Sequence, residues 1–130
     1  MSQENVEIVR KVFEWQADPR VFELIHPEVI WTNFSSAPER TSFVGHMGVI
    51  QWFRSFVETL GDFEFVVDEI VDAGDRGVVT VSHATGRGVK SGAPVEISVS
   101  TIFELRDGKI VSGQGYETKE AALKAAGLRE

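Results

Sequence analysis

Three turn signals in the second half of the chain constrain its fold more than any other feature. "GDR" at 74–76, "KSGA" at 90–93 and "RDG" at 106–108 separate runs of strand-forming residues. The runs read "DFEFVVDEIVDA", "GVVTVSHATGRGV", "PVEISVSTIFEL" and "KIVSGQGYE". Connections this short join antiparallel neighbours. Asp107-Gly108 is the strongest of the three, since Asp-Gly favours a two-residue hairpin turn. The second half is therefore predicted to be an antiparallel meander.

The first half reads as helical, with one strand. Ser2 can cap a helix to about Gln16, with Val6, Val9 and Phe13 as its apolar stripe. Asp18-Pro19 starts a short helix carrying Phe22 and Ile25, which stops at His26-Pro27. "EVIWTNF" reads as a strand and "SSAPERTS" as a loop. "HMGVIQWFRSFVETL" places Val49, Trp52, Phe53 and Phe56 at helical spacing. Thr118 caps a last helix, "KEAALKAA", closed by Gly127. Helices first and a meander second is an α+β layout. The 130 residues are expected to form a single domain.

The hairpin turns sort residues onto faces. A two-residue turn at 107–108 pairs Arg106 with Lys109, which sets Ser100 against Gly115, Ile102 against Gly113 and Ser98 against Glu117. A two-residue loop at 91–92 sets His83 against Ser100 and Thr85 against Ser98. A three-residue loop would flip that pairing. Under the first register, one face gathers His83, Ser98, Ser100, Gly113, Gly115 and Glu117. The opposite face carries Val99, Phe103, Leu105, Ile110 and Tyr116. Either the apolar face covers the helices, or the polar face lines a cavity and the apolar face meets another subunit.

Composition removes several function classes. The net charge of −7, from 20 acidic and 13 basic residues, argues against nucleic acid or an anionic membrane as partner. There is no cysteine, which excludes disulfides and thiol catalysis. No apolar run approaches the ~20 residues of a membrane span. The N-terminus lacks a signal-peptide core, so a soluble cytoplasmic protein is expected. No histidines and carboxylates share ligand spacing on one element, so neither a metal nor another cofactor is expected. "GRGVKSG" is a hairpin tip rather than a phosphate loop.

The pieces "HPEVIW", "FVGHMGVIQWF", "DAGDRGVV", "FELRDGKI" and "KEAALKAAGL", in this order and spacing, resemble the SnoaL-like branch of the nuclear transport factor 2-like superfamily. The resemblance covers nearly the whole chain. It implies a cone-shaped α+β barrel, a curved antiparallel sheet packed on three helices of the N-terminal half, with a short C-terminal helix. It implies a pocket inside the cone and a homodimer through the outer sheet face. The glycine face then points inward, and Val99, Phe103, Gln114 and Tyr116 point outward.

The same resemblance excludes the family's best-known chemistries. The base and oxyanion-hole positions of the ketosteroid isomerases correspond to Asn33, Phe13 and Ser100, which can play none of those roles. The limonene epoxide hydrolase set corresponds to Trp31, Asn33, His83, Thr85 and Gly115, which lacks its acids and its arginine. The acid of the polyketide cyclases also falls on Gly115.

Three polar candidates remain. His83 is either a general base near neutral pH or a core histidine satisfied by a neighbour such as Ser100. Asn33 is either a ligand-orienting or a structural amide. Glu117 is either an acid at the rim or a solvated strand end. Phe13, Trp31, Trp52, Phe56 and Phe65 either wall a pocket or fill the cone as plain core. Ser98, Ser100, Gly113 and Gly115 would complete the ligand face. Three functions fit: a pocket protein for a small apolar organic ligand; an isomerase, cyclase or hydrolase using His83; or a non-catalytic interaction module with a self-filled pocket.

Overall fold

The computed structural model describes residues 2–15, 18–32 and 42–128. Helix α1, Ser2–Trp15, leads into a 3-10 turn, Pro19–Leu24. Strand β1 is Ile25–Thr32, β2 is Ser42–Val44 and helix α2 is Gly45–Thr59. Four strands follow: β3 Leu60–Asp72, β4 Val78–Gly88, β5 Pro94–Arg106 and β6 Lys109–Tyr116. Helix α3, Lys119–Ala125, closes the chain. The α+β class and the curved sheet stand as expected.

Local chemistry sets most of these boundaries. Asp18 accepts a hydrogen bond from the Arg20 backbone N–H at 3.0 Å and so caps the 3-10 turn, with Pro19 in its first position. That segment is shorter than predicted, because Ile25 is already extended and starts β1. The Thr118 hydroxyl accepts from the Ala121 N–H at 3.1 Å and caps α3. Gly127, at φ +77, ends it, and the Leu128 N–H reaches back to the Leu123 carbonyl at 2.8 Å. The His46 Nε2–H donates to the Ile25 carbonyl at 2.7 Å and ties α2 to β1.

The sheet runs β2-β1-β6-β5-β4-β3. It is mixed rather than wholly antiparallel, since β1 pairs with β6 in parallel, Trp31 beside Gly113. Its curvature follows from ring contacts. Trp31 on β1 and Phe65 on β3 stand four strand intervals apart, roughly 19 Å across a flat sheet. Yet Trp52 of α2 contacts both, with ring centroids at 5.1 and 6.3 Å.

One inserted residue corrects the face assignment. Arg106 pairs with Lys109 and Leu105 with Ile110, as the Asp-Gly turn dictates. A bulge at Val111 then shifts the register, so Glu104 meets Ser112, Phe103 meets Gly113 and Thr101 meets Gly115. A shift of one exchanges the two faces of a strand. The glycines therefore share a face with Phe103, Thr101 and Val99, not with Ser98 and Ser100. The β4–β5 loop is longer than two residues, so His83 pairs with Ser98 and Val81 with Ser100. That shift is even and leaves His83 on the serine face.

The helix-side core contains Val9, Val12, Val21, Ile25, Val29, Trp31, Val78, Phe103 and Ile110. Phe103 is fully buried and Val99 is 4% exposed, so both point inward, against the outward expectation. Gln114 and Tyr116 do lie on the outer face. Helix α3 covers part of that face, packing Ala122, Leu123 and Ala126 on Val79 beside Tyr116 and Ile102.

Candidate functional site

Helices α1 and α2, the 3-10 turn and the concave side of the sheet enclose a cavity of about 410 Å³. This size falls within the range of small-molecule sites, about 300–1,000 Å³. Val12 and Phe13 come from α1, Pro19, Val21 and Phe22 from the 3-10 turn, and Ile25, Trp31 and Phe65 from the sheet. Helix α2 presents Val49, Ile50, Trp52, Phe53, Arg54 and Val57. Among the described residues, every lining residue but Arg54 is apolar.

The aromatic rings lock into a closed circuit. Phe13 stacks on Phe65 at 5.6 Å with planes 6° apart, and meets Phe103 edge-on at 5.8 Å. Phe103 meets Trp31 at 5.1 Å, Trp31 meets Trp52 at 5.1 Å, and Trp52 meets Phe65 at 6.3 Å. Such edge-on and offset contacts each add about 0.5–1.5 kcal/mol beyond burial. They hold four of the cavity walls in fixed positions, with Phe103 behind them.

Gly113 now has a definite role. A Cβ there would stand 3.1 Å from Phe103 Cε1 and 3.4 Å from Trp31 Cδ2. The missing side chain makes room for the protein's own rings, not for a ligand. Gly115 is buried on the same face, opposite Thr101. Neither glycine lines the cavity.

Of the residues predicted from sequence, Phe13, Trp31, Trp52 and Phe65 come together around this space. Asn33 and the Phe56 side chain lie outside the described residues. Glu117 is exposed just past the end of β6 and does not line the cavity. Ser98 and Ser100 face the other side of the sheet. Sequence reading missed the contributions of the 3-10 turn and most of the α2 lining. The only signal for the latter was helical spacing in "VIQWFRSFV".

His83 also lies on the outer face, which corrects its inward assignment. Its partner was not foreseen, because a bulge between Val67 and Glu69 displaces Asp68 from strand alternation. His83 Nδ1 and Asp68 Oδ2 are 2.7 Å apart. That hydrogen bond, with the negative charges of Asp68, Glu96 and Glu64, raises the His83 pKa above the ordinary histidine range. The protonated, folded form is thereby favoured. The stabilisation is complete below the unfolded histidine pKa and is lost as pH rises through the folded value. Asp68→Asn is thus expected to lower the melting temperature more at pH 5.5 than at pH 9, and to lower the His83 pKa read by NMR. Equal losses at both pH values would contradict this.

Among the described residues no group of three or more metal-ligating side chains comes together, and no helix is long and apolar enough to cross a membrane.

Solved structures that share this architecture include these three. Bal32a, from a soil-derived mobile gene cassette, is 20% identical with a TM-score of 0.77, over 95% of this chain and 96% of its own. A putative SnoaL-like polyketide cyclase from Jannaschia sp. CCS1 is 24% identical with a TM-score of 0.73, over 96% and 92%. TerC, co-crystallised with polyporic acid, is 18% identical with a TM-score of 0.71, over 95% and 98%. At these identities the likeness establishes the fold. No curated protein matches the chain. The sequence pattern of the SnoaL-like domain, however, matches residues 10–113, most of the chain, and takes in the cavity-lining helices and strands. The chain belongs to the SnoaL-like domain family.

Proposed function

We propose that this protein binds one small, largely apolar organic molecule in the aromatic cavity. The observation that carries the proposal is the lining itself: about 410 Å³ of space walled by apolar side chains and fixed aromatic rings. Burying apolar surface there is favourable by about 25 cal/mol per Å². The rings offer faces for stacking a flat ligand. Relatives of the same fold include one described as a putative polyketide cyclase and one crystallised with polyporic acid, both consistent with a pocket for ring compounds.

A binding role fits the described lining better than acid–base catalysis does. Among the described residues the lining contains no carboxylate, histidine or tyrosine, and its one ionisable group is an arginine. An arginine stays protonated and cannot serve as a base. His83 is separated from the cavity by the sheet, so the isomerase, cyclase or hydrolase reading loses the base on which it rested.

The test is a tryptophan-fluorescence titration with a neutral bicyclic aromatic, naphthalene-2-carboxamide. Trp31 and Trp52 both line the cavity and serve as reporters. Saturable quenching at one ligand per chain is expected. A response that never saturates would overturn the proposal.

A further inference from the structure

We infer that the ligand is an organic anion, an apolar ring body bearing a carboxylate or similar acidic group that Arg54 receives at the cavity mouth. The inference rests on the binding role proposed above and adds the chemical class of the ligand.

Arg54 differs from every other lining residue. Among the described residues it is the single polar side chain of the lining, and it sits on α2 between Ile50 one turn before and Val57 one turn after, both also lining. Arg54 is exposed and Val57 is 49% exposed, whereas Trp31 is 4% exposed. The cavity thus runs from a dry aromatic end to an open end at which a guanidinium stands.

That guanidinium is uncommitted. Among the described residues no carboxylate lies within ion-pair distance of Arg54, and it makes no hydrogen bond. Glu58, one turn on along α2, does not pair with it. The contrast is Arg20, beside the lining residue Pro19. Arg20 is held by Asp18 at 2.9 Å and lies over the Trp15 ring at 4.7 Å. Of these two arginines, one is neutralised and one is left open.

A planar guanidinium presents a fork of donors that matches a carboxylate in two parallel hydrogen bonds. A carboxylate at the mouth keeps contact with water, so its desolvation cost stays small while its ring body enters the dry part. The chain's net charge of −7 opposes an approaching anion at long range. At ordinary salt that repulsion is screened beyond about 8–10 Å, and the contact with Arg54 decides.

The test uses two probes of nearly equal shape, 2-naphthoate and neutral naphthalene-2-carboxamide, against wild type, Arg54→Gln and Arg54→Lys. Wild type is expected to bind the acid about tenfold more tightly than the amide. Arg54→Gln should remove that preference, so that the acid and the amide bind within about twofold of each other. Arg54→Lys, which keeps the charge but loses the fork, should retain part of it. If wild type binds both probes equally, or Arg54→Gln keeps the preference, the inference is wrong while the cavity reading stands. If neither probe binds wild type, the binding role itself fails and the inference falls with it.

Discussion

Phe103→Ala is expected to destabilise the protein by about 3–5 kcal/mol, the cost of removing a large aromatic side chain from a closed core. Phe103 is fully buried and touches the rings of both Phe13 and Trp31. It stands over Gly113, which has no side chain to collapse into the space left behind. The backbone is equally close. Gly77 has φ +107, and a Cβ there would come within 2.0 Å of the Phe103 carbonyl oxygen. The strand therefore cannot shift toward β4 to close the gap. Urea unfolding at several protein concentrations checks this. An outward-facing interface phenylalanine would instead show a small, concentration-dependent loss. That outcome would restore the unbulged register.

Val49→Trp is expected to reduce naphthalene-2-carboxamide affinity at least about a hundredfold while leaving the fold intact. Val49 lines the cavity one turn before Phe53, on the same helix as Trp52. A new indole has space to enter there, and filling a true void commonly stabilises a protein by about 0.5–2 kcal/mol. The sign of the stability change is itself informative. If the cone were already packed by its own rings, the larger side chain would overpack it and cost about 1–3 kcal/mol. Raised stability with lost binding supports an open cavity. Lowered stability would favour the self-filled core.

Much of the fold was legible because its signals are local. Asp18-Pro19, Thr118 with Gly127, and Asp107-Gly108 each act within a few residues, and each does in space what its chemistry dictates. The four aromatic walls were legible for a related reason. Large rings at helix and strand spacing have to be buried somewhere, and a cone offers one interior. The bulges were not legible. Val111 adds one residue to β6 without glycine or proline to mark it, and that single residue turned Phe103 and Val99 inward and separated the serines from the glycines. Asp68 was hidden the same way, so the partner of His83 could not be read from strand alternation. Strand β2 was missed because "SFV" is only three residues long and is specified by its pairing with β1, Phe43 beside Trp31. Nothing in the sequence separates Arg54 from any other charged residue on an amphipathic helix. Only the tertiary arrangement sets it at the mouth of an apolar space.

The most direct test of the central claim, that ligand enters on the helix side of the sheet, is amide and indole chemical-shift mapping during titration with naphthalene-2-carboxamide. The account predicts that the largest changes fall on the Trp31 and Trp52 indoles and on the amides of Phe13, Ile50 and Phe65, while His83, Ser98 and Ser100 stay in place. Changes centred on His83 and the serines, with the indoles unmoved, would contradict it.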